Sequence, residues 1–98
     1  MNIKDLHTKL KPVSAIPHFK AEEGNVTAIQ ILNNQLLKEH TTKIPALLVC
    51  VTGEVVFENE KGVNEILLPG DYVHIEPMIK HSVKGIEDSQ LLQKKKKI

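Results

Sequence analysis

The chain contains no arginine and no tryptophan: all 13 basic residues are lysines, and Phe19, Phe57 and Tyr72 are its only aromatics. Sequence-specific readers of DNA or RNA rely on arginine forks against base edges and on aromatic faces for stacking. Both are missing here, so nucleic acid is not an expected partner. Cys50 is the single cysteine, which excludes an intramolecular disulfide and cysteine-based zinc modules and suits a reducing, cytoplasmic setting. The longest apolar run, Ala46 to Val51, is far too short to cross a bilayer, and MNIKDLHTKL lacks the apolar stretch of a signal peptide. No membrane partner is expected.

What is present is a domain of 98 residues, long enough for one modest core. Four of the lysines form the run Lys94–Lys97, so residues 1–93 hold 9 lysines against 12 acids, or −3. The run reads as a solvated end, residues 94–98. Residues 1–24 read as an irregular segment: Ile3, Leu6 and Leu10 have helical spacing, but Pro12 and Pro17 forbid anything beyond a short helical turn. His7 and His18 in this segment read as surface residues.

From residue 25 to residue 93 the chain is a succession of short β-rich segments separated by turn residues. Val26–Leu32 ends at Asn33-Asn34, a pair that tolerates left-handed backbone angles, and Val63–Leu68 ends at Pro69-Gly70-Asp71, a strong turn signal. Gln35–Thr41, Ala46–Thr52, Glu54–Asn59, Tyr72–Glu76, Lys80–Val83 and Ser89–Gln93 complete the series. Seven or eight strands with no convincing helix predict an all-β fold, a small antiparallel barrel or jelly roll. Ala46–Val51 is apolar on both faces: Ala46, Leu48 and Cys50 would point one way, and Leu47, Val49 and Val51 the other. A strand facing water should alternate with polar residues, so the second face is expected to be covered, and a homodimer contact would cover it.

Leu37–Gly53 and Pro69–Val83 resemble the two motifs of the cupin superfamily, which are small double-sheet β-barrels. The first cupin motif runs glycine, five residues, His-x-His, three or four residues, glutamate, six residues, glycine. On this chain those positions fall at Asn34, His40, Thr42, Ala46 and Gly53. The second runs glycine, five residues, proline, one residue, glycine, two residues, histidine, three residues, asparagine. Here Gly70 and His81 match, while Glu76, Met78 and Gly85 stand at the other positions. The resemblance implies a cupin barrel over residues 25–93. A metal-bearing cupin typically uses three histidines and one glutamate, and the transfer leaves His40 and His81 alone, with Thr42 and Ala46 at the other two ligand positions.

Two readings of function stand side by side on that resemblance. One is a binding module, sensor or accessory, with little or no catalysis, in which His40, Thr42 and His81 meet a small polar or anionic ligand between walls that include Leu48 and Phe57. The other is a metal-dependent enzyme of the dioxygenase or isomerase class, its Fe, Mn, Ni or Zn held by His40 and His81. A third, a purely structural protein, would need a barrel plugged by Met78, Leu48 and Phe57. His74 reads as an outward strand residue, Cys50 as a small core hydrophobe, and Asp71 as the cap of the Pro69-Gly70 turn.

Overall fold

The computed structural model describes residues 1–9 and 11–96; Leu10, from the proposed helical spacing, and Lys97 and Ile98, from the expected solvated end, lie outside the described residues. A single 3-10 turn, Ile3–Leu6, precedes nine strands: β1 Val13–Ala21, β2 Gly24–Ile31, β3 Leu36–His40, β4 Ala46–Thr52, β5 Val55–Asn59, β6 Asn64–Leu67, β7 Tyr72–Ile75, β8 His81–Gly85 and β9 Ser89–Lys96. They form a five-stranded sheet in the order β1-β2-β9-β4-β7 and a four-stranded sheet in the order β3-β8-β5-β6, every pairing antiparallel. The all-β double-sheet architecture is the expected one.

Period-two alternation builds the core from both sheets. The larger sheet contributes Ile29 and Ile31 from β2, Leu48 and Cys50 from β4, Ile75 from β7 and Leu91 from β9; the smaller contributes Val55, Phe57, Leu67 and Val83. Cys50 is a free thiol in this core, and burial, with Asp71, Glu54 and Glu87 adding their charge, pushes its pKa up. A raised pKa keeps the protonated form, which suits packing rather than reactivity.

Two segments differ from the sequence reading. Residues 13–21, taken as irregular, form β1. Pro17 is tolerated because β1 is an edge strand, pairing with β2 only, and the register slips between Pro17 and Phe19. Strand β9 does not stop at Gln93. Lys94, Lys95 and Lys96 pair with Val26, Asn25 and Gly24 of β2, so most of the lysine run is a central strand rather than a solvated end. Charge predicts solvation of a side chain, whereas here the backbone ladder of Lys94 and Lys95 is completed on both sides by β2 and β4.

The turns hold where the sequence placed them. Asn34 sits at φ 65, and Leu68 N–H donates to Asp71 Oδ2 at 2.9 Å while Asp71 N–H donates to Leu68 O at 2.8 Å. Gly53 has φ 88, and a Cβ there would come within 2.7 Å of Ser89 Cα, so this position needs glycine on both counts.

Candidate functional site

His40 and His81 meet because β3 and β8 are neighbours. After a register shift following Leu37, His40 lies directly opposite His81, and His81 is paired on its other side with Asn59 of β5. The imidazole centroids are 4.2 Å apart, with the rings tilted by 57°. Phe57, two residues before Asn59 on β5, stacks on His81 from the other side at 5.8 Å and 26°. The three side chains thus form one layer across β3, β8 and β5.

Both imidazoles have their tautomer set by the backbone. His40 Nδ1 is 2.9 Å from Lys38 O and His81 Nδ1 is 3.3 Å from Ile79 O. A carbonyl only accepts, so each Nδ1 carries the proton and each Nε2 presents a lone pair. For His81 that lone pair is buried and has no hydrogen-bond partner among the described residues, although the side chain is only 1% exposed. A buried, unmatched acceptor costs about 1–3 kcal/mol. Burial holds the His81 pKa below its ordinary value, the Ile79 carbonyl acts the other way, and the neighbouring His40 and Lys95 add to the depression.

The remaining residues expected at the site divide. Thr42 is buried, but its hydroxyl donates to Ile44 O at 3.0 Å, and its carbonyl accepts from Met78 N–H at 2.8 Å. It therefore pins the β3–β4 connection to the turn before β8, and its hydroxyl proton is already committed. Leu48 is fully buried within the hydrophobic core. Phe57 is both a core residue and the floor under His81, and it also lines a cleft of about 300 Å³ with Asn59, Val63, Glu65, Tyr72 and Val73. Asn59 has its Oδ1 engaged, accepting from Lys61 N–H and Val63 N–H. Met78 is 63% exposed and plugs nothing.

Lys95 is the residue that the sequence reading passed over. It shares the inward parity of Leu91 and Gln93 on β9, pairs with Ala46 of β4 and Asn25 of β2, and is half-buried. Alternation carried two steps past Gln93 would have found it. His7 also differs from its expected surface role: its Nδ1 lies 2.8 Å from Ser14 Oγ and its Nε2 is buried, tying the N-terminal segment to β1. His18 and His74 are exposed, and His74 meets Tyr72 edge-on at 5.7 Å on the outer side of β7.

The donor set does not suit a resident divalent metal. Among the described residues no three His, Cys, Asp or Glu side chains come together. Even an open catalytic site usually supplies three protein ligands, and here a lysine rather than a carboxylate adds its charge to the pair.

No family model and no curated protein sequence matches this chain. Solved structures match it along almost its whole length. A cupin superfamily protein from Desulfitobacterium hafniense is 14% identical with a TM-score of 0.82, covering 96% of this chain and 85% of its own. KdgF from Halomonas is 15% identical with a TM-score of 0.81, covering 91% and 83%. An RmlC-like cupin family protein from Methanocaldococcus jannaschii, described as a double-stranded β-helix, is 14% identical with a TM-score of 0.77, covering 91% and 84%. At such identities the likeness is one of fold, and the fold of this chain is that of the cupins.

Proposed function

We propose that this chain is a small-molecule-binding cupin module, a sensor or accessory protein with little or no catalysis, whose ligand is taken by the His40–His81 pair. The observation that carries this reading is the buried, unpartnered Nε2 of His81, oriented by its own backbone contact at Nδ1 and backed by Phe57. Structures retain such a group when something else completes it. A cytoplasmic homodimer is the setting in which we place it.

A second reading, a metal-dependent enzyme of the dioxygenase or isomerase class, draws on one feature. Histidines that ligate metals commonly donate their second N–H to a carbonyl, as both imidazoles do here.

One comparison separates the two. Protein purified without a tag is assayed for metal before and after incubation with Fe(II), Mn(II), Ni(II) and Zn(II), alongside a thermal-shift screen of small acids and sugars. His40→Ala serves as control, because His40 is only half-buried and its loss should leave the fold intact. We expect no stoichiometric metal, and a ligand-dependent rise in Tm that His40→Ala abolishes. Near-stoichiometric metal lost in His40→Ala would overturn the binding-module reading in favour of the enzyme. No metal and no ligand response would leave a structural barrel.

A further inference from the structure

The two sheets have four edge strands, β1 and β7 in the larger and β3 and β6 in the smaller, and among the described residues no pairing joins β6 to β7. Exposed edges invite foreign strands, and proteins blunt them with prolines, bulges and charges. Three of the four edges are blunted in this way. Strand β1 carries Pro17 with a register slip beside it, and β3 carries Lys38, Glu39 and a register shift. On β6, Glu65 lies opposite the core residue Phe57 and shares its inward-facing parity. Strand β7, Tyr72-Val73-His74-Ile75, has no proline, no lysine and no acid, and its register with β4 is unbroken. Cys50 N–H donates to Asp71 O at 2.9 Å, which fixes the phase of that ladder. Counting on by twos, the backbone groups of Val73 and Ile75 face β4, and those of Tyr72 and His74 face away from it. Among the described residues nothing pairs with the latter.

That open side borders the cleft of about 300 Å³, whose lining includes Tyr72, Val73 and His74 of β7 and, from the other sheet, Phe57 and Glu65. No lysine lines this cleft. Glu76 at its rim is paired with Lys61 at 2.8 Å, whereas Glu65 has neither an ion pair nor a hydrogen bond among the described residues. We propose that β7 is a docking edge for an extended peptide segment of a partner protein, which adds to β7 as a further strand and sets a lysine or arginine against Glu65. The free N–H and C=O groups of Tyr72 and His74 supply the pairing, as in other cases of strand addition. A strand added there alternates its side chains as β7 does, so those on the side of Val73 face Phe57 and Glu65. A basic side chain suits both neighbours: its aliphatic stem covers Phe57 and Val73, and its charged head reaches the carboxylate. A second copy paired edge to edge through its own β7 brings no lysine to Glu65, so the occupant is a different chain. The assignment is independent of the His40–His81 pair.

The probe is the end-capped peptide Thr-Val-Lys-Val-Thr, with arginine or glutamate versions at the central position, titrated into the full chain. Backbone ¹⁵N–¹H resonances and amide hydrogen exchange are followed residue by residue. With the lysine and arginine peptides we expect the Tyr72 and His74 amides to shift and their exchange to slow about tenfold or more at saturation. Val73 and Ile75, already paired with β4, should keep their exchange rates. Glu65→Gln should weaken binding about two- to fivefold, the worth of an exposed ion pair. His74→Pro removes one free donor and no bond to β4, a change an edge strand tolerates, and should abolish binding. Should that variant lose its fold by circular dichroism, Glu65→Gln and the wild-type amide pattern decide alone. Butylammonium producing the same shifts would overturn strand addition and leave a cleft for small cations. Equal binding of the glutamate peptide would overturn the basic partner. Shifts at Tyr72 and His74 that follow protein concentration without peptide would assign the edge to a second copy instead. No response to the lysine or the arginine peptide at millimolar concentration would overturn the docking edge altogether.

Discussion

His81 and His7 are the two histidines whose pKa values lie below the ordinary 6.5, in each case first because burial disfavours the charged ring. The consequence for stability has a definite sign. The folded state holds these protons less firmly than the unfolded chain, so protonation favours unfolding. Their contribution is therefore fully present above about pH 6.5 and is lost as the pH falls from there toward the lowered folded values. Thermal denaturation midpoints measured from pH 8 down to pH 5 should decline through that window, and His7→Gln should reduce the decline by removing one of the two groups. A midpoint that stays flat to pH 5 would show that neither imidazole is excluded from water as the structure has it. The same residues mark the limit of sequence reading. That His40 and His81 come together could be read from motif spacing. That Thr42 spends its hydroxyl on Ile44 O, and that His7 is tied to Ser14, depends on tertiary contacts no local pattern records.

At the scale of elements, the turns were legible and the strand ends less so. Asn34 and Met78 stand where the two cupin motifs carry glycine, and both adopt φ 65, the only non-glycine residues with positive φ among those described. The backbone need survived the loss of the glycine. Asparagine meets it at little cost; methionine does not, because a Cβ followed by an unbranched chain crowds the carbonyl by about 1–2 kcal/mol. Met78 gains little in return, being largely exposed, while its N–H is held by Thr42 O. Met78→Gly should thus stabilise the protein by about 0.5–1 kcal/mol after the added entropy of the unfolded glycine is subtracted, raising Tm by about 2–8 °C for a domain of this size. A lower Tm would mean that the Met78 side chain makes packing contacts worth more than the strain it carries. Strands β1 and β9 were misjudged for physical reasons of the same kind. Pro17 and the lysine run are local signals against a strand, and each was overridden by position: an edge that needs no second set of hydrogen bonds for β1, and two flanking partners for β9.

At the scale of the molecule, the outer face of the five-stranded sheet is the feature left unfinished. Register places Ile16, Ala28, Leu92, Val49 and Tyr72 side by side in one row that crosses all five strands. Leu47 and Val51 flank that row, and like Val49 and Leu92 they are half-buried rather than covered. The N-terminal residues border part of this face, with Ile3 lining one cleft with Val51 and Leu92, while Val49 and Tyr72 lie on the side of the row away from β1. An antiparallel sheet facing water normally alternates polar with apolar side chains, whereas here Leu47, Val49 and Val51 of β4, with Tyr72 beside Val49, leave a band of apolar surface only partly covered. A second copy turned by a two-fold axis would set the same row against itself, the simplest way for one patch to bury its own kind. Sedimentation of the wild-type chain should then give twice the 11.0 kDa monomer mass, and Val49→Lys, which puts a charge at the centre of the band, should give folded monomer or insoluble protein. Far-ultraviolet circular dichroism of any soluble variant would distinguish lost association from lost fold. A wild-type monomer, or a Val49→Lys dimer of unchanged mass, would refute this interface and require another cover for the band.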